Sequence, residues 1–302
     1  MGNTKAWIQA ARLRTLPLSL SGIIVGTALA MMQGLFDSTI FILALLTTIG
    51  FQVTSNFAND YGDGVKGTDN DDRIGPARAL QSGLLTPSTL KKGIIVSIVL
   101  SMILAFALIY VSFGKENLKF IVVFSIFGIL SIWAAIRYTM GSNPYGYQGL
   151  GDVFVFLFFG LLGVLGSMFL FTKSVDWATL FPAMSIGLLC VGVLNLNNLR
   201  DVSSDRKHGK NTLVVKMGYK NGKRYHYLLL TLAFLGFLAF SWLRLEPLSA
   251  WFYLLAFIPI VIHLFKVIRT QEPVELDGEL KKLALSTFLL SLLFLTAVKF
   301  FL

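Results

Sequence analysis

Charge is scarce in this sequence. Lys, Arg, Asp and Glu together make up 14% of its 302 residues, against about 25% in a soluble domain. That deficit excludes an ordinary water-soluble globule of this length. Cysteine is nearly absent as well. A lone Cys190 inside an apolar run excludes an intramolecular disulfide, and with no catalytic partner assignable it reads as a small core residue. The three histidines, His208, His226 and His263, share no metal-binding spacing and receive no chemistry. Low-complexity segments and coiled-coil heptads are missing. Lys and Arg exceed Asp and Glu by 26 to 16, an excess that would suggest nucleic acid, but the apolar background argues against that partner.

What fills the chain is hydrocarbon: 55% of residues are hydrophobic and the mean hydropathy is +0.71. About 20 apolar residues cross a bilayer as a helix. Such stretches lie at about 16–33, 39–59, 92–112, 118–137, 152–172, 177–197, 224–243, 249–268 and 283–302. The predicted fold is therefore an all-α membrane protein with nine transmembrane helices and its termini on opposite sides. Sorting the basic residues by side puts 21 with the N-terminus and five, Lys115, Lys119, Lys173, Arg244 and Lys299, on the other. Because Lys and Arg gather in cytoplasmic loops, the N-terminus is expected inside and the C-terminus outside. The first apolar run, with basic residues before it and Ala28-Leu29-Ala30 within it, also has the look of a cleaved signal peptide. Yet nothing later suggests export, and the nine-span topology needs that run as a span.

The chain echoes itself. Span 2 ends in Asn56-Phe-Ala-Asn59-Asp60-Tyr-Gly-Asp63, and span 6 ends in Asn195-Leu-Asn197-Asn198-Leu-Arg200-Asp201. Each sequence opens a long polar loop on the same side. A single domain over 1–302 is expected, with halves of about 1–150 and 151–302 carrying one motif each. Asn59 and Asp63 are four apart and project from one helical face; Asn197, Asp201 and Asp205 continue that step twice. Acids at the end of an apolar helix are costly and usually line a polar interior. Five acids fall between Asp60 and Asp72. An oxygen-only ligand row without His or Cys suits Mg²⁺, which is bound by one or two carboxylates plus substrate phosphates. Two such rows facing each other would hold a diphosphate through metal ions, with Arg73, Arg78, Arg206, Lys207 and Lys210 at hand for the same anion. A secondary transporter also carries intramembrane acids, but there they sit at mid-membrane in broken helices, not at helix ends beside polar loops.

These residues resemble the UbiA superfamily of intramembrane prenyltransferases. Its first motif, Asn-Asp-x-x-Asp-x-x-x-Asp, is matched by Asn59, Asp60 and Asp63; Gly67 stands at the fourth position, and Asp69 follows two residues later. Its second, Asp-x-x-x-Asp, is matched by Asp201 and Asp205. Within the superfamily the chain is most similar to the 1,4-dihydroxy-2-naphthoate polyprenyltransferases of menaquinone synthesis. The specific pieces are Gly75-Pro76-x-Arg78-Ala79-x-Gln81-Ser82-Gly83, Tyr147-x-Gly149-Leu150-Gly151-Asp152, and Asn198-x-Arg200-Asp201-x-x-x-Asp205 with Gly209-Lys210-x-Thr212-Leu213. Asp152 stands where Glu is commoner.

The resemblance implies a helical bundle around a central cavity, with polar loops after helices 2 and 6. It implies transfer of a polyprenyl group from its diphosphate to dihydroxynaphthoate, with Mg²⁺ as cofactor and the lipid bilayer as surroundings. Metal-site residues would be Asn59, Asp60, Asp63, Asp69, Asn197, Asp201 and Asp205. Arg78, Lys207 and Lys210 would contact diphosphate, and Arg14 the acceptor carboxylate. Asn56, Tyr138 and Tyr145 would line the substrate site, and Arg137 and Tyr147 would be catalytic together with Asp63 and Asp201. Asp152 would orient the acceptor hydroxyl or take its proton. Phe154, Phe156, Phe158 and Phe159 are candidates to shield an allylic cation. Acceptors such as 4-hydroxybenzoate or homogentisate are the nearest alternatives. No local motif sets prenyl length or oligomeric state.

Overall fold

The computed structural model describes residues 2–69 and 74–301. Among them there is no strand. By length and composition, nine helices among the described residues are long and apolar enough to cross a membrane: Thr4–Met31, Ser38–Val65, Pro87–Phe113, Leu118–Arg137, Gly151–Thr172, Trp177–Arg200, Tyr219–Arg244, Leu248–Arg269 and Pro273–Phe300, here spans 1 to 9. Helix starts follow local chemistry. Asp37 accepts from the amides of Thr39 (2.7 Å) and Ile40 (3.1 Å) at the head of span 2. Thr86 caps span 3, with Pro87 at its first helical position, where a missing N–H costs nothing.

The outer surface is apolar. On span 3 the row Ile95, Val99, Ile103, Phe106 and Tyr110 is exposed; in water this face would be a liability, and lipid covers it. Inside, span 1 packs on spans 9 and 5, span 2 on spans 3 and 4, and span 6 on spans 5 and 7. Backbones approach closely where side chains are missing. A Cβ on Gly160 of span 5 would stand 2.5 Å from the Gly187 Cα of span 6, the small-residue contact by which membrane helices associate.

Span 5 is wound unusually: Phe156–Gly166 is π-helical, a rare form that is frequent at functional sites. Phe154, Phe158, Leu162, Gly166 and Leu170, spaced by four, all line the central cavity. Four residues turn an α-helix by about 400°, so such a row would drift by about 160° over its length. The wider winding cancels the drift and keeps one row on one wall.

Several boundaries differ from those that hydropathy sets. The N-terminus forms its own helix, Gly2–Ala11, joined to Leu16–Met31 at Arg12, which adopts φ 50°, ψ 52°. Trp7, Ala6 and Ala10 pack on Phe57, Ala79 and Leu90, so this helix, which supplies the first part of the Thr4–Met31 run, clasps the segment after span 2, and the apolar part of span 1 is Leu16–Met31. Span 2 runs on to Val65, span 7 begins at Tyr219, and the last helix begins at Asp277. Each outruns its apolar stretch, because a helix already nucleated in lipid continues through polar residues beyond it. Asp205 does not continue the helix of Asn197: span 6 ends at Arg200, and Val202–Lys207 is a separate helix. The Asp205 amide still donates to the Asp201 carbonyl (2.8 Å), so the step of four survives the break.

Candidate active site

The ends of spans 2 and 6 converge. A small polar pocket of about 30 Å³ is lined by Asp63, Thr68, Asp69, Arg78, Asn197, Asp201, Ser204, Asp205 and Lys210. Both acidic motifs thus face one space. Lys210 stands between them, its Nζ 4.0 Å from Asp63 and 3.8 Å from Asp205. Burial alone would lower the Lys210 pKa, but Asp63 and Asp205 outweigh it and hold the ammonium above the ordinary lysine range. Arg78 lies 3.4 Å from Asp69. Tyr147 donates to Asp63 Oδ1 (2.8 Å) and shares a hydrogen bond with Thr68 (2.6 Å). Burial, then the Asp63 charge, pushes its phenol above the usual range.

The donor set is oxygen-only, carboxylate-rich and flanked by cations, which fits Mg²⁺ and a phosphate group better than a softer metal. Among the described residues no group of three or more His, Cys, Asp or Glu side chains is placed to hold a metal ion by itself. An open set is what Mg²⁺ requires, since it keeps waters and takes substrate oxygens as ligands. Asp71, Asp72 and Arg73 lie outside the described residues.

Beside this pocket opens a cavity of about 350 Å³ within spans 1 to 6, mostly apolar. Asn59, Tyr138 and Tyr145 line it, as do Phe154, Phe158 and Phe159. Tyr138 marks the junction. Its pKa is pushed up to about 12 by burial, with Lys210 opposing and Asp63, Asp152 and Asp205 adding, so it titrates in the field of the polar pocket. Tyr145 donates to the Ala134 carbonyl (2.8 Å) and stacks on Phe154 at 3.9 Å between centroids. Phe156 instead packs against Gly187.

Other expected site residues fall elsewhere. Asp60 is fully buried and accepts from the amides of Ala79 (3.1 Å) and Leu80 (3.3 Å), so it fixes the Arg78 segment and lines neither cavity. Asn56 donates to the Ala11 carbonyl and Thr15 Oγ1 at the N-terminal joint. Asn59 faces the apolar cavity, not the polar pocket. Arg137 reaches the Asn143 carbonyl (3.3 Å). Arg14 and Lys207 are exposed and line neither space. Asp152 is buried beside Tyr225, with its Oδ2 lacking a hydrogen-bond partner.

Arg200, a topology charge by its place in the sequence, is a structural centre of the site. Its guanidinium forks onto both oxygens of Asp201 (2.8 and 2.6 Å) and also reaches Asn197 (2.9 Å) and Asp277 (2.6 Å). The signal available for it is an arginine adjoining an acidic motif at a helix end. Lys66 is a second residue that spacing does not single out. It donates to the Thr139 carbonyl (2.8 Å) and lies over the Tyr147 ring, and burial lowers its pKa.

Comparison with known proteins agrees with this geometry. The profile of the UbiA prenyltransferase family matches residues 19–297. The chain is 44% identical over 298 residues to a 1,4-dihydroxy-2-naphthoate octaprenyltransferase of Escherichia coli, covering 99% of this chain and 96% of that one. It is 35% identical to the Mycobacterium tuberculosis protein of the same name, covering 82% and 81%. Among solved structures, a UbiA homolog from Archaeoglobus fulgidus bound to DMAPP and Mg²⁺ superposes with a TM-score of 0.67 at 14% identity, covering 97% and 99%. An apo UbiA homolog from Aeropyrum pernix gives 0.65 at 16% identity, covering 91% and 97%; these two share the fold. With its two acidic helix ends on one pocket and its profile match over nearly the full length, the chain belongs to the UbiA prenyltransferase family and is a membrane-spanning transferase.

Proposed function

We propose that the protein transfers a polyprenyl group from its diphosphate to 1,4-dihydroxy-2-naphthoate, releasing diphosphate and CO₂ and leaving demethylmenaquinol. One observation carries this reading: Asp63 and Asp69 from one half and Asn197, Asp201 and Asp205 from the other line a single pocket that abuts a long apolar cavity. The names of the relatives supply the acceptor.

Asp63, Asp201 and Asp205 are the residues for holding Mg²⁺, with Asn197 and Asp69 beside them. Mg²⁺ supplies Lewis-acid neutralisation of the leaving diphosphate. Lys210 and Arg78 hold the same anion directly, and Tyr147 fixes the Asp63 carboxylate. The prenyl C–O bond breaks with its electron pair on diphosphate. The ring carbon bearing the carboxylate then attacks the allylic cation; as the new C–C bond forms, CO₂ leaves and its bonding electrons restore the aromatic ring. Phe154 and Phe158 line the apolar cavity that keeps water from the cation. The pocket opens on the cytoplasmic side of a bacterial cytoplasmic membrane, a placement supported by the 21-to-5 split of basic residues.

Purified protein with Mg²⁺, a prenyl diphosphate and each acceptor in turn tests the reaction. Product from dihydroxynaphthoate is expected; product from 4-hydroxybenzoate or homogentisate alone would overturn the acceptor. Asp63→Ala and Asp201→Ala should each lower turnover by at least about 100-fold while the protein still inserts, and full activity in either would refute the two-motif site. Orientation is checked by labelling. Cys190 is buried, so a cysteine replacing exposed Lys207 should react with an impermeant thiol reagent only from the cytoplasmic face, and one replacing Lys115 only from the other.

A further inference from the structure

Gly128 lies in the middle of span 4, is buried, and lines the apolar cavity. Every other buried glycine among the described residues would bring an added Cβ within 4 Å of a neighbour, so packing accounts for it; a Cβ on Gly128 would meet nothing within that distance. Its φ is not in the left-handed region either. A mid-helix glycine weakens its helix relative to alanine. Neither close helix approach nor backbone conformation offsets that cost here. What the missing side chain leaves is room in the cavity.

The position of that room is informative. Phe124, Gly128, Ser131 and Ala135 form one face of span 4, all lining the cavity, with Tyr138 at its polar end. Ten residues separate Tyr138 from Gly128, about 15 Å along a helix. Aromatic pairs bridge spans 4 and 5 above and below: Trp133 with Phe154 at 6.3 Å and Phe124 with Phe169 at 5.6 Å. Gly128 sits between these bridges.

We propose that Gly128 is a specificity-determining position for the donor tail: its bare backbone is the gap through which a long prenyl tail runs between the two aromatic bridges toward lipid. This rests on the reading of the site given above. A lipid environment is as apolar as the cavity, so tail binding gains little from hydrophobic transfer. Selection at this point is steric, and residue volume at 128 sets the tail length that can pass.

The test compares wild type with Gly128→Ala, Gly128→Leu and Gly128→Phe. Ligand binding, in the presence of Mg²⁺, is read as the rise in Tm caused by inorganic diphosphate, which has no tail, and by octaprenyl diphosphate. Turnover of octaprenyl diphosphate is measured alongside. The Leu and Phe variants should keep the response to diphosphate, lose most of the response to octaprenyl diphosphate, and fall about tenfold or more in kcat/KM, with Ala in between. A wild type that responds to neither ligand overturns the reading of the site itself. A wild type that responds to diphosphate alone, or a Leu variant that loses both responses or neither, overturns the role of Gly128.

Discussion

Asp60 and Asp63 stand three residues apart at the end of span 2 and do different work. Asp63 shares a helical face with Asn59 and lines the polar pocket. Asp60 is turned about 100° from Asn59 and meets the amides of Ala79 and Leu80. Its carboxylate is a brace for the segment that carries Arg78. Asp60→Ala should lower stability by about 2–3 kcal/mol, since it strands one buried and one partly buried amide; thermal unfolding in detergent measures it. A motif written as a string hides this division of labour. The acids of the polar pocket are legible in the sequence because an apolar helix tolerates a row of oxygen groups at its end only where a polar space receives them. Arg200 is not, because a basic residue at a helix end on the basic side looks like a topology signal until its partners Asn197, Asp201 and Asp277 are seen.

Among the helices, existence is legible in the sequence and extent is not. All nine spans come from long apolar runs, yet the last turns of span 2 and the first turns of spans 7 and 9 are polar and carry no hydropathy signal. The separate helix Gly2–Ala11 has little hydrophobic length and gives no span signal either. The π winding of Phe156–Gly166 leaves no mark that hydropathy can read; only the fact that residues spaced by four share one wall shows its use. That wall depends on close contact behind it. Gly160→Ala should cost about 1–3 kcal/mol by overpacking against Gly187, seen as a lower Tm, whereas Gly128→Ala should not lower Tm at all.

Across the molecule, the second half holds a polar chain that no spacing rule reveals. His226 of span 7 meets His263 of span 8 (Nε2 to Nε2, 3.0 Å), His263 meets Glu279 of span 9 (2.7 Å), and Lys282 donates to Glu279 (2.5 Å). The histidines are 37 residues apart in sequence, so only the packing of three helices brings them together. Glu279→Ala should destabilise the protein by roughly 2–3 kcal/mol, less than for a fully enclosed pair because Lys282 keeps its ammonium in water; a change in Tm below about 2 °C would argue that the chain adds nothing to the packing of spans 7 to 9.

Span 2 is longer than the layer it crosses. Its 28 residues reach about 42 Å, while the hydrocarbon of a bilayer is about 30 Å thick. The surplus, about 12 Å by these two lengths, carries the last two turns and Asp63 beyond the acyl chains. A substrate with an ionic head and a greasy tail is thus met at the boundary it already occupies, and neither end has to change solvent to reach the enzyme.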